Sequence, residues 1–257
     1  MGRVEGRVAI VTGGAGGIGS AIGTVLCKEG ASVLFVDADA DALAGVADEL
    51  RSAQADARFS TLVADVGEEA SAARIVEAAR AELGQIDTLV NCAGMRSYEP
   101  LAEARTETWN RILEVNLLSY AWLTQAAIGD LRASGRGSVI NVSSTHAVNP
   151  RAGMGQYDVT KAGIVSMTKT LAFEEAKHGI RVNAVCPGLT FTPFHRKRAE
   201  AAGRTQADID REAQGGCLMG RWADPMEMAY PVLWLASDEA SYMTASVIMV
   251  DGGRFVL

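Results

Sequence analysis

Short apolar segments alternate along the chain with longer segments in which apolar residues recur every three or four positions. The short segments are rich in Val and Ile and apolar almost throughout, which is typical of strands buried on both faces of a parallel sheet. They predict strands at residues 8–12, 32–37, 61–65, 86–91, 138–143, 180–185 and 246–250. The longer segments have the helical period and predict helices at residues 18–29, 40–52, 70–83, 106–133, 157–177 and 226–236.

This regular alternation predicts an α/β fold, a single doubly wound parallel sheet of about seven strands with helices on both faces. No internal repeat, low-complexity segment or linker divides the chain, so we interpret residues 1–257 as one domain. One stretch interrupts the rhythm, because residues 188–216 are polar and charged. A long segment of this kind in a compact domain is typically functional, and we predict that it forms a lid over a binding site.

Composition narrows the class of protein. The 257 residues carry a formal net charge of -7, and this acidic balance argues against nucleic-acid binding, which requires clustered cations. No apolar run approaches the roughly 20 residues of a membrane span and no signal peptide is recognisable, so we expect a cytoplasmic protein without membrane association. The 4 cysteines are widely spaced and the 3 histidines are scattered, so no metal site is predicted. Glycine is in excess, with 27 residues, where an average frequency of roughly 7% would give about 18.

Part of the glycine excess lies where the first strand ends and the first helix begins, in the loop Thr12-Gly13-Gly14-Ala15-Gly16-Gly17-Ile18-Gly19. Backbone N–H groups and the helix N-terminus can meet a pyrophosphate there, because no side chain intervenes. The next strand ends in Asp37, whose carboxylate can accept hydrogen bonds from a ribose and would repel a 2′-phosphate. The pattern predicts a Rossmann-type site that prefers NAD to NADP, with the ligands Gly13, Gly16, Gly17, Ile18, Gly19 and Asp37.

Further motifs, in the same order along the chain, make the sequence resemble the classical short-chain dehydrogenases/reductases over essentially its whole length. The glycine loop fits the T-G-x-x-x-G-x-G pattern of that family. Asn91-Cys92-Ala93-Gly94 is similar to its N-N-A-G turn, with Cys in place of the second Asn, and Val250-Asp251-Gly252-Gly253 resembles its C-terminal signature. The resemblance implies further cofactor contacts at Asp65, Val66, Asn91, Ala93, Gly94, Tyr157, Lys161, Pro187, Gly188 and Thr190.

Tyr157 and Lys161 form the candidate catalytic pair. They lie at positions i and i+4 of a predicted helix, so the phenol and the ammonium can reach one cleft. A nearby ammonium lowers the pKa of a phenol from about 10 towards the operating pH, which a general acid/base requires. The resemblance implies that Ser144 orients the substrate oxygen and that Asn116 holds a water that relays protons from Lys161. We therefore predict an NAD-dependent dehydrogenase or ketone reductase with Tyr157 as its acid/base.

The substrate is less well defined by the sequence. The resemblance implies a pocket lined by Met95, Arg96, His146, Arg151, Met154, Phe191, Phe194 and His195. This mixture predicts a small, polar secondary alcohol, such as a polyol or a hydroxy acid. Two other functions stay open: a 3-oxoacyl thioester reductase, whose relatives usually prefer NADP, and a nucleotide sensor without turnover.

The long helices at 106–133 and 157–177 carry small and apolar residues beyond the predicted catalytic face. In the resembling family these helices pack against a partner subunit, which implies a homo-oligomer, either a tetramer or a dimer. The same surface could equally belong to the core of one chain, and the sequence alone does not separate the two.

Overall fold

In a computed structural model, which describes residues 2–256, the strands form one parallel sheet in the order β3-β2-β1-β4-β5-β6-β7. The prediction of a doubly wound α/β fold is confirmed. The chain reverses its progress across the sheet between β1 and β4, which is where open α/β sheets bind their ligands. The strands are β1 Val8–Thr12, β2 Ser32–Asp37, β3 Phe59–Val63, β4 Thr88–Asn91, β5 Ser138–Val142, β6 Arg181–Pro187 and β7 Val247–Val250.

Helices cover both faces of the sheet. Alternate side chains of β1 divide between two apolar cores: Ala9 and Val11 pack with α1, α2 and α9, whereas Val8 and Ile10 pack with α3, α5 and α6. None of the described helices is both long and apolar enough to cross a membrane. The helices are α1 Gly17–Lys28, α2 Ala40–Ala53, α3 Glu69–Leu83, α4 Thr106–Leu113, α5 Ser119–Ala133, α6 Gly155–Glu175, α7 Pro193–Ala201, α8 Gln206–Gly216 and α9 Pro225–Ala236.

The third strand lies two residues earlier than its apolar pattern predicts. Its register pairs Val63 with Asp37, so β3 ends level with the last residue of β2. Asp65 and Val66 consequently lie in the loop beyond the sheet edge, at the same end as the glycine loop, rather than in or directly against the strand.

The predicted helix at 106–133 is interrupted by a π-helical turn, Glu114–Leu118. The backbone N–H of Ser119 donates to the carbonyl of Glu114, five residues earlier, so the ladder holds one extra residue. This turn contains Asn116, whose side chain is fully buried.

The polar segment 188–216 folds into two helices, α7 and α8. Each begins at a threonine N-cap: Thr192 pairs with His195 at 2.8 Å between Oγ1 and Nδ1, and Thr205 Oγ1 donates to Asp208 Oδ2 at 2.7 Å. The sequence predicts that this segment is a lid, and the structure places the start of α7 against the glycine loop.

Candidate active site

One cavity of about 600 Å³ opens at the carboxyl ends of the central strands. Its lining residues come from the glycine loop, the ends of β2 to β6, the start of α6 and the segment before α7. Most of the residues that the sequence predicts for cofactor and substrate line it: Gly13, Gly16, Gly17, Ile18, Gly19, Asp37, Asp65, Val66, Ala93, Gly94, Arg96, Ser144, Tyr157, Lys161, Pro187, Gly188, Thr190 and His195.

The glycine loop is packed so tightly that side chains do not fit at several of its positions. A Cβ on Gly19 would lie 2.0 Å from the carbonyl oxygen of Gly13. Gly13 has a positive φ of 67°, and a Cβ there would lie 2.9 Å from the Cα of Ala93. The start of α7 also approaches, since a Cβ on Gly17 would lie 2.9 Å from Pro193 and from Thr192. These approaches leave bare backbone amides facing the cavity, which is the chemistry that a pyrophosphate requires.

Carboxylates mark the end of the cavity beyond the glycine loop. Asp37 Oδ2 accepts from the N–H of Ala15 at 3.0 Å, so its charge is held beside the loop. Asp65 is held by two other contacts: its Oδ2 pairs with Arg111 at 2.7 Å, and its Oδ1 accepts from the N–H of Gly67 at 2.8 Å. Arg111 itself lines the cavity, and it was not among the predicted residues.

The turn after β4 is held by hydrogen bonds to the last residue of β1. Thr12 Oγ1 accepts from the N–H groups of Cys92 and Ala93, at 3.0 and 3.2 Å. Asn91 does not line the cavity: its side chain is fully buried and donates to Asn141 Oδ1 at 2.9 Å, which ties β4 to β5. The predicted cofactor residue Asn91 therefore lies under the site, and only its neighbours face the cavity.

Tyr157 lies at the floor of the cavity, on the first turn of α6, and is 7% exposed. Burial raises the pKa of its phenol, while the charge of Arg96 and the hydroxyl of Ser144 act in the opposite direction on that pKa. Ser144 Oγ is held by the N–H of His146 at 3.1 Å. The neighbouring Ser143 instead donates to the carbonyl of Lys161 at 2.8 Å, so Ser144 is the serine whose hydroxyl is directed to the phenol.

Lys161 extends beneath the phenol, with its Nζ 5.6 Å from the ring centroid of Tyr157. The ammonium donates to the carbonyl of Val142 at 3.0 Å. Burial lowers the pKa of Lys161 from 10.5 to about 8. The amine is therefore close to its titration point near neutral pH, as a group that passes protons should be.

Replacing Lys161 with methionine is expected to raise the free energy of unfolding of the cofactor-free protein at pH 7 by about 1–3 kcal/mol. The folded pKa of about 8 lies below the ordinary 10.5. The cost of the buried charge is thus complete below the folded pKa and fades as pH rises to the unfolded one. The Tyr120 hydroxyl remains within reach of the Val142 carbonyl at 3.1 Å, and it shares its one hydrogen between that oxygen and the Ala93 carbonyl at 3.0 Å. Urea unfolding at pH 7 and pH 10 measures the gain and its loss.

The exposed Lys169 on the same helix provides the control, since its replacement by methionine removes a charge without relieving burial. A Lys161→Met variant that is no more stable than the wild type at pH 7 contradicts the prediction. A gain that is the same at pH 7 and pH 10 contradicts it as well.

Asn116 lies behind the cavity wall and does not line it. Its amide hydrogen-bonds to both backbone groups of Met95: Oδ1 accepts from the N–H at 2.7 Å, and Nδ2 donates to the carbonyl at 2.9 Å. Nδ2 also donates to Thr160 Oγ1 at 3.2 Å, next to Lys161 in the chain. The π-helical turn thus fixes the segment after the N-C-A-G turn to the catalytic helix.

The predicted substrate residues divide into two groups. Four of them line the cavity: Met95, Arg96, Phe194 and His195. Burial and the charges of Arg96 and Arg198 lower the pKa of His195 to about 4, which keeps this imidazole neutral. Four other predicted residues do not line the cavity: His146, Arg151, Met154 and Phe191.

A buried carboxylate organises the loop that carries His146 and Arg151. Asp158 Oδ1 lies 2.7 Å from Nδ1 of His146, and its Oδ2 accepts from the N–H of Arg151 at 2.8 Å. The His146 ring packs edge-on against Tyr157 at 5.6 Å between centroids. Asp158, whose position beside Tyr157 was not singled out in the sequence, therefore holds the loop over the Tyr157 ring.

Some cavity residues carry no sequence signal that would have placed them there. Arg111 is 46 residues from its partner Asp65, and Thr192 reaches Gly17 across 175 positions. Tyr98 is joined to the lid by Arg198, whose Nη1 donates to its hydroxyl at 2.8 Å. Only the tertiary arrangement brings these residues to the cavity.

The cavity, the glycine loop and the Ser–Tyr–Lys set define the class of protein: an α/β oxidoreductase that binds a nicotinamide cofactor. A family model described as enoyl-(acyl carrier protein) reductase matches residues 13–254. The chain belongs to the classical short-chain dehydrogenases/reductases.

Individual relatives span nearly the whole chain. It is 37% identical over 251 residues to 2,5-dichloro-2,5-cyclohexadiene-1,4-diol dehydrogenase of Sphingobium indicum, which covers 98% of this chain and 97% of the relative. It is 36% identical over 254 residues to the 3-oxoacyl-[acyl-carrier-protein] reductase of Thermotoga maritima, covering 99% of this chain and 100% of the relative. The solved structure of L-sorbose reductase from Gluconobacter frateurii, complexed with NADPH and L-sorbose, superposes with a TM-score of 0.94 at 34% identity, over 100% of this chain and 99% of that one.

Proposed function

We propose that the protein transfers a hydride between a secondary alcohol and NAD, with Tyr157 as the general acid/base. The observation that carries the proposal is one continuous cavity in which the glycine loop and the Ser144–Tyr157–Lys161 set face the same space. A nucleotide sensor without turnover would have no use for a buried phenol beside a buried ammonium, whose burial costs stability.

The residues of the cavity fit a dinucleotide. The glycine loop has no room for a side chain at Gly19, so a pyrophosphate can approach its backbone amides. Asp37 lies beside the loop, where its carboxylate could bind a ribose. Lys161 and Tyr157 are placed to contact the second ribose and the reacting end, with Pro187, Gly188 and Thr190 at the opposite wall. When bound, the nicotinamide supplies the acceptor or the donor of the hydride.

The protein's own residues supply the proton and the orientation. In the direction of oxidation, Tyr157 accepts the proton of the substrate hydroxyl, and in reduction it returns that proton. The Ser144 hydroxyl orients the substrate oxygen, and the Lys161 charge favours the phenolate. Asn116 fixes the Met95 segment and Thr160, and a water held beside it would connect Lys161 to solvent.

Asp37 supports the preference for NAD, although the L-sorbose reductase structure contains NADPH. In an Asp37→Asn variant, an oxygen still accepts from the N–H of Ala15, but the negative charge is gone. We expect the ratio of kcat/KM for NAD⁺ to that for NADP⁺ to fall about 10- to 100-fold, because a charged partner contributes about 1.5–3 kcal/mol. Steady-state kinetics with both cofactors measure the ratio.

The control is Asp41→Asn, which removes an exposed carboxylate from the first turn of α2. Its cofactor ratio should stay at the wild-type value. An unchanged ratio in Asp37→Asn, or a wild-type protein that prefers NADP⁺, would remove Asp37 as the determinant.

The substrate class follows from the cavity and its relatives. The relative from Sphingobium indicum is named for a cyclic diol, and L-sorbose is a polyol ketone, which supports a small, polar secondary alcohol or its ketone as substrate. The relative from Thermotoga maritima is named for a 3-oxoacyl thioester, which is the second candidate. Following reduced-cofactor absorbance with NAD⁺ or NADH and a panel of polyols, hydroxy acids, cyclic alcohols and 3-oxoacyl thioesters separates the two.

We further propose that the protein works in the cytoplasm as a homo-oligomer, a tetramer or a dimer. The supporting feature is a largely apolar groove between α5 and α6, lined in part by Leu117, Leu118, Gly163, Met167 and Leu171. Leu118 is 40% exposed there. A second copy packed on this face would cover the groove, and light scattering in solution measures the mass.

A further inference from the structure

Arg96 stands at the substrate end of the cavity, two residues after the N-C-A-G turn. Its guanidinium carbon lies 5.7 Å from the ring centroid of Tyr157 and 5.7 Å from that of Phe194. The planar cation is therefore placed between the catalytic ring on α6 and a lid ring on α7. Contacts of this kind orient a guanidinium. Arg96 also hydrogen-bonds to the Tyr157 hydroxyl, and the other N–H groups of its five remain available to another partner.

The charge of Arg96 is not matched by an acidic side chain. No carboxylate within residues 2–256 forms an ion pair with it, whereas Arg105, Arg111 and Arg132 each have one at 2.9 Å or less. Asp158, the acid that follows Tyr157 in the chain, is already engaged by His146 and by the N–H of Arg151.

Two further arginines belong to neighbouring segments, although neither lines the cavity. The charges of Arg198 and Arg96 both lower the pKa of His195, and those of Arg151 and Arg96 both lower the pKa of His146. Arg198 is held by the Tyr98 hydroxyl, and neither it nor Arg151 has an ion-pair partner among the described residues.

We propose that Arg96 is an anion-binding subsite, and that the substrate is a hydroxy acid whose carboxylate it binds beside Tyr157. This inference rests on the proposed function and narrows its substrate class. The fork of N–H groups on a guanidinium matches the two oxygens of a carboxylate, and the Arg96 side chain is exposed at the cavity, where a substrate carboxylate can reach it. Lys161 does not serve this role, because its ammonium lies below the phenol and donates to the Val142 carbonyl.

The carboxylate takes no part in the chemistry. The hydroxy acid and NAD⁺ give the keto acid, NADH and a proton: the carbinol C–H bond breaks with its electron pair, and the hydroxyl proton passes to Tyr157. Binding of the carboxylate fixes the carbinol relative to Tyr157 and Ser144. It therefore lowers KM and raises the rate of the chemical step.

Matched substrate pairs test the subsite. The pairs are 3-hydroxybutyrate with 3-hydroxybutyramide, and 3-hydroxycyclohexanecarboxylate with its carboxamide, which differ in charge and hardly in shape. For the wild type we expect kcat/KM to favour the acid by about 10- to 100-fold in at least one pair. Arg96→Gln should reduce this ratio to near one, and Arg96→Lys should keep part of it, because a charge remains without the planar fork.

The ratio within one variant cancels any effect of Arg96 on Tyr157, since both members of a pair use the same acid/base. Arg74→Gln, an exposed and unpaired arginine on α3, is the control and should keep the wild-type ratio. Equal losses for acid and amide in Arg96→Gln, or a wild type that uses the amide as well as the acid, would overturn the proposal.

A binding measurement separates failure of the subsite from failure of the proposed function. Ligand-observed NMR with cyclohexanecarboxylate and cyclohexanecarboxamide needs no turnover. If no secondary alcohol reduces NAD⁺, but the carboxylate alone binds and its binding is lost in Arg96→Gln, the subsite stands and the proposed function fails. If neither compound binds, or both bind equally well, the subsite is rejected.

Discussion

A Tyr157→Phe variant is expected to lose about 100- to 10,000-fold in kcat/KM, which is the range that a positioned general acid/base contributes. The substitution removes only the phenolic hydroxyl, which is the group that hydrogen-bonds with Ser144 and Arg96. Phenylalanine fills the same volume on the first turn of α6, so the ring contacts with His146 and Lys161 persist. Initial rates of NADH formation with the best secondary alcohol measure the loss.

Cofactor binding and folding separate this loss from a structural defect. We expect the variant to lose far less in NADH affinity than in rate, because only one hydroxyl of the cofactor site is removed. It should unfold at an equal or higher urea concentration, because that hydroxyl is buried. Tyr242→Phe is the control, since Tyr242 is fully exposed and lies far along the chain. If Tyr157→Phe kept more than about a tenth of the wild-type rate, Tyr157 would not be the acid/base.

The second large effect is expected at Gly19. A Gly19→Ala variant places a Cβ 2.0 Å from the Gly13 carbonyl oxygen and 2.7 Å from its carbon, so backbone rather than a flexible side chain must move. Movement of this loop displaces the amides that face the cavity. We expect the affinity for NADH to fall by about 100-fold or more, because several hydrogen bonds to charged phosphates of about 1.5–3 kcal/mol each are misplaced. Fluorescence titration measures the affinity.

The same substitution is expected to lower the free energy of unfolding by about 1–3 kcal/mol, the usual cost of overpacking. Gly45→Ala provides the matched control: it lies within α2, and a Cβ there meets nothing within 4 Å. It should leave NADH binding unchanged and raise stability by up to about 1 kcal/mol through helix propensity. Wild-type NADH affinity in Gly19→Ala would refute the pyrophosphate role of the loop.

Local signals in the chain were enough for the fold and for part of the candidate site. The β–α alternation needs only the apolar period of each segment, and both cores follow from it. Tyr157 and Lys161 could be paired because a helix places i and i+4 on one face, and the short spacing leaves no freedom. The glycine loop was recognisable because its function is carried by backbone at a strand end, next to a helix start.

Where sequence and structure differ, the decisive contact joins distant segments. Asp65 leaves the strand because pairing with β2 ends β3 at Val63, a register that no local pattern contains. The helix at 106–133 has an uninterrupted helical pattern, yet the buried amide of Asn116 binds the Met95 main chain within a π-helical turn. Thr192 and Arg111 come to the cavity through packing across the fold.

The sequence by itself determined the succession of strands and helices along the chain and the class of fold, because both depend on spacing within single segments. It also determined which residue types are available for chemistry. Tertiary structure alone decided which side chains share the cavity, and that Asn91 lies beneath it while Arg96 stands open within it. The physical reason is that the exposure of a side chain, and whether its charge is matched, depend on its neighbours in space. Those neighbours come from segments tens to nearly a hundred residues apart, as with Arg96, Tyr157 and Phe194.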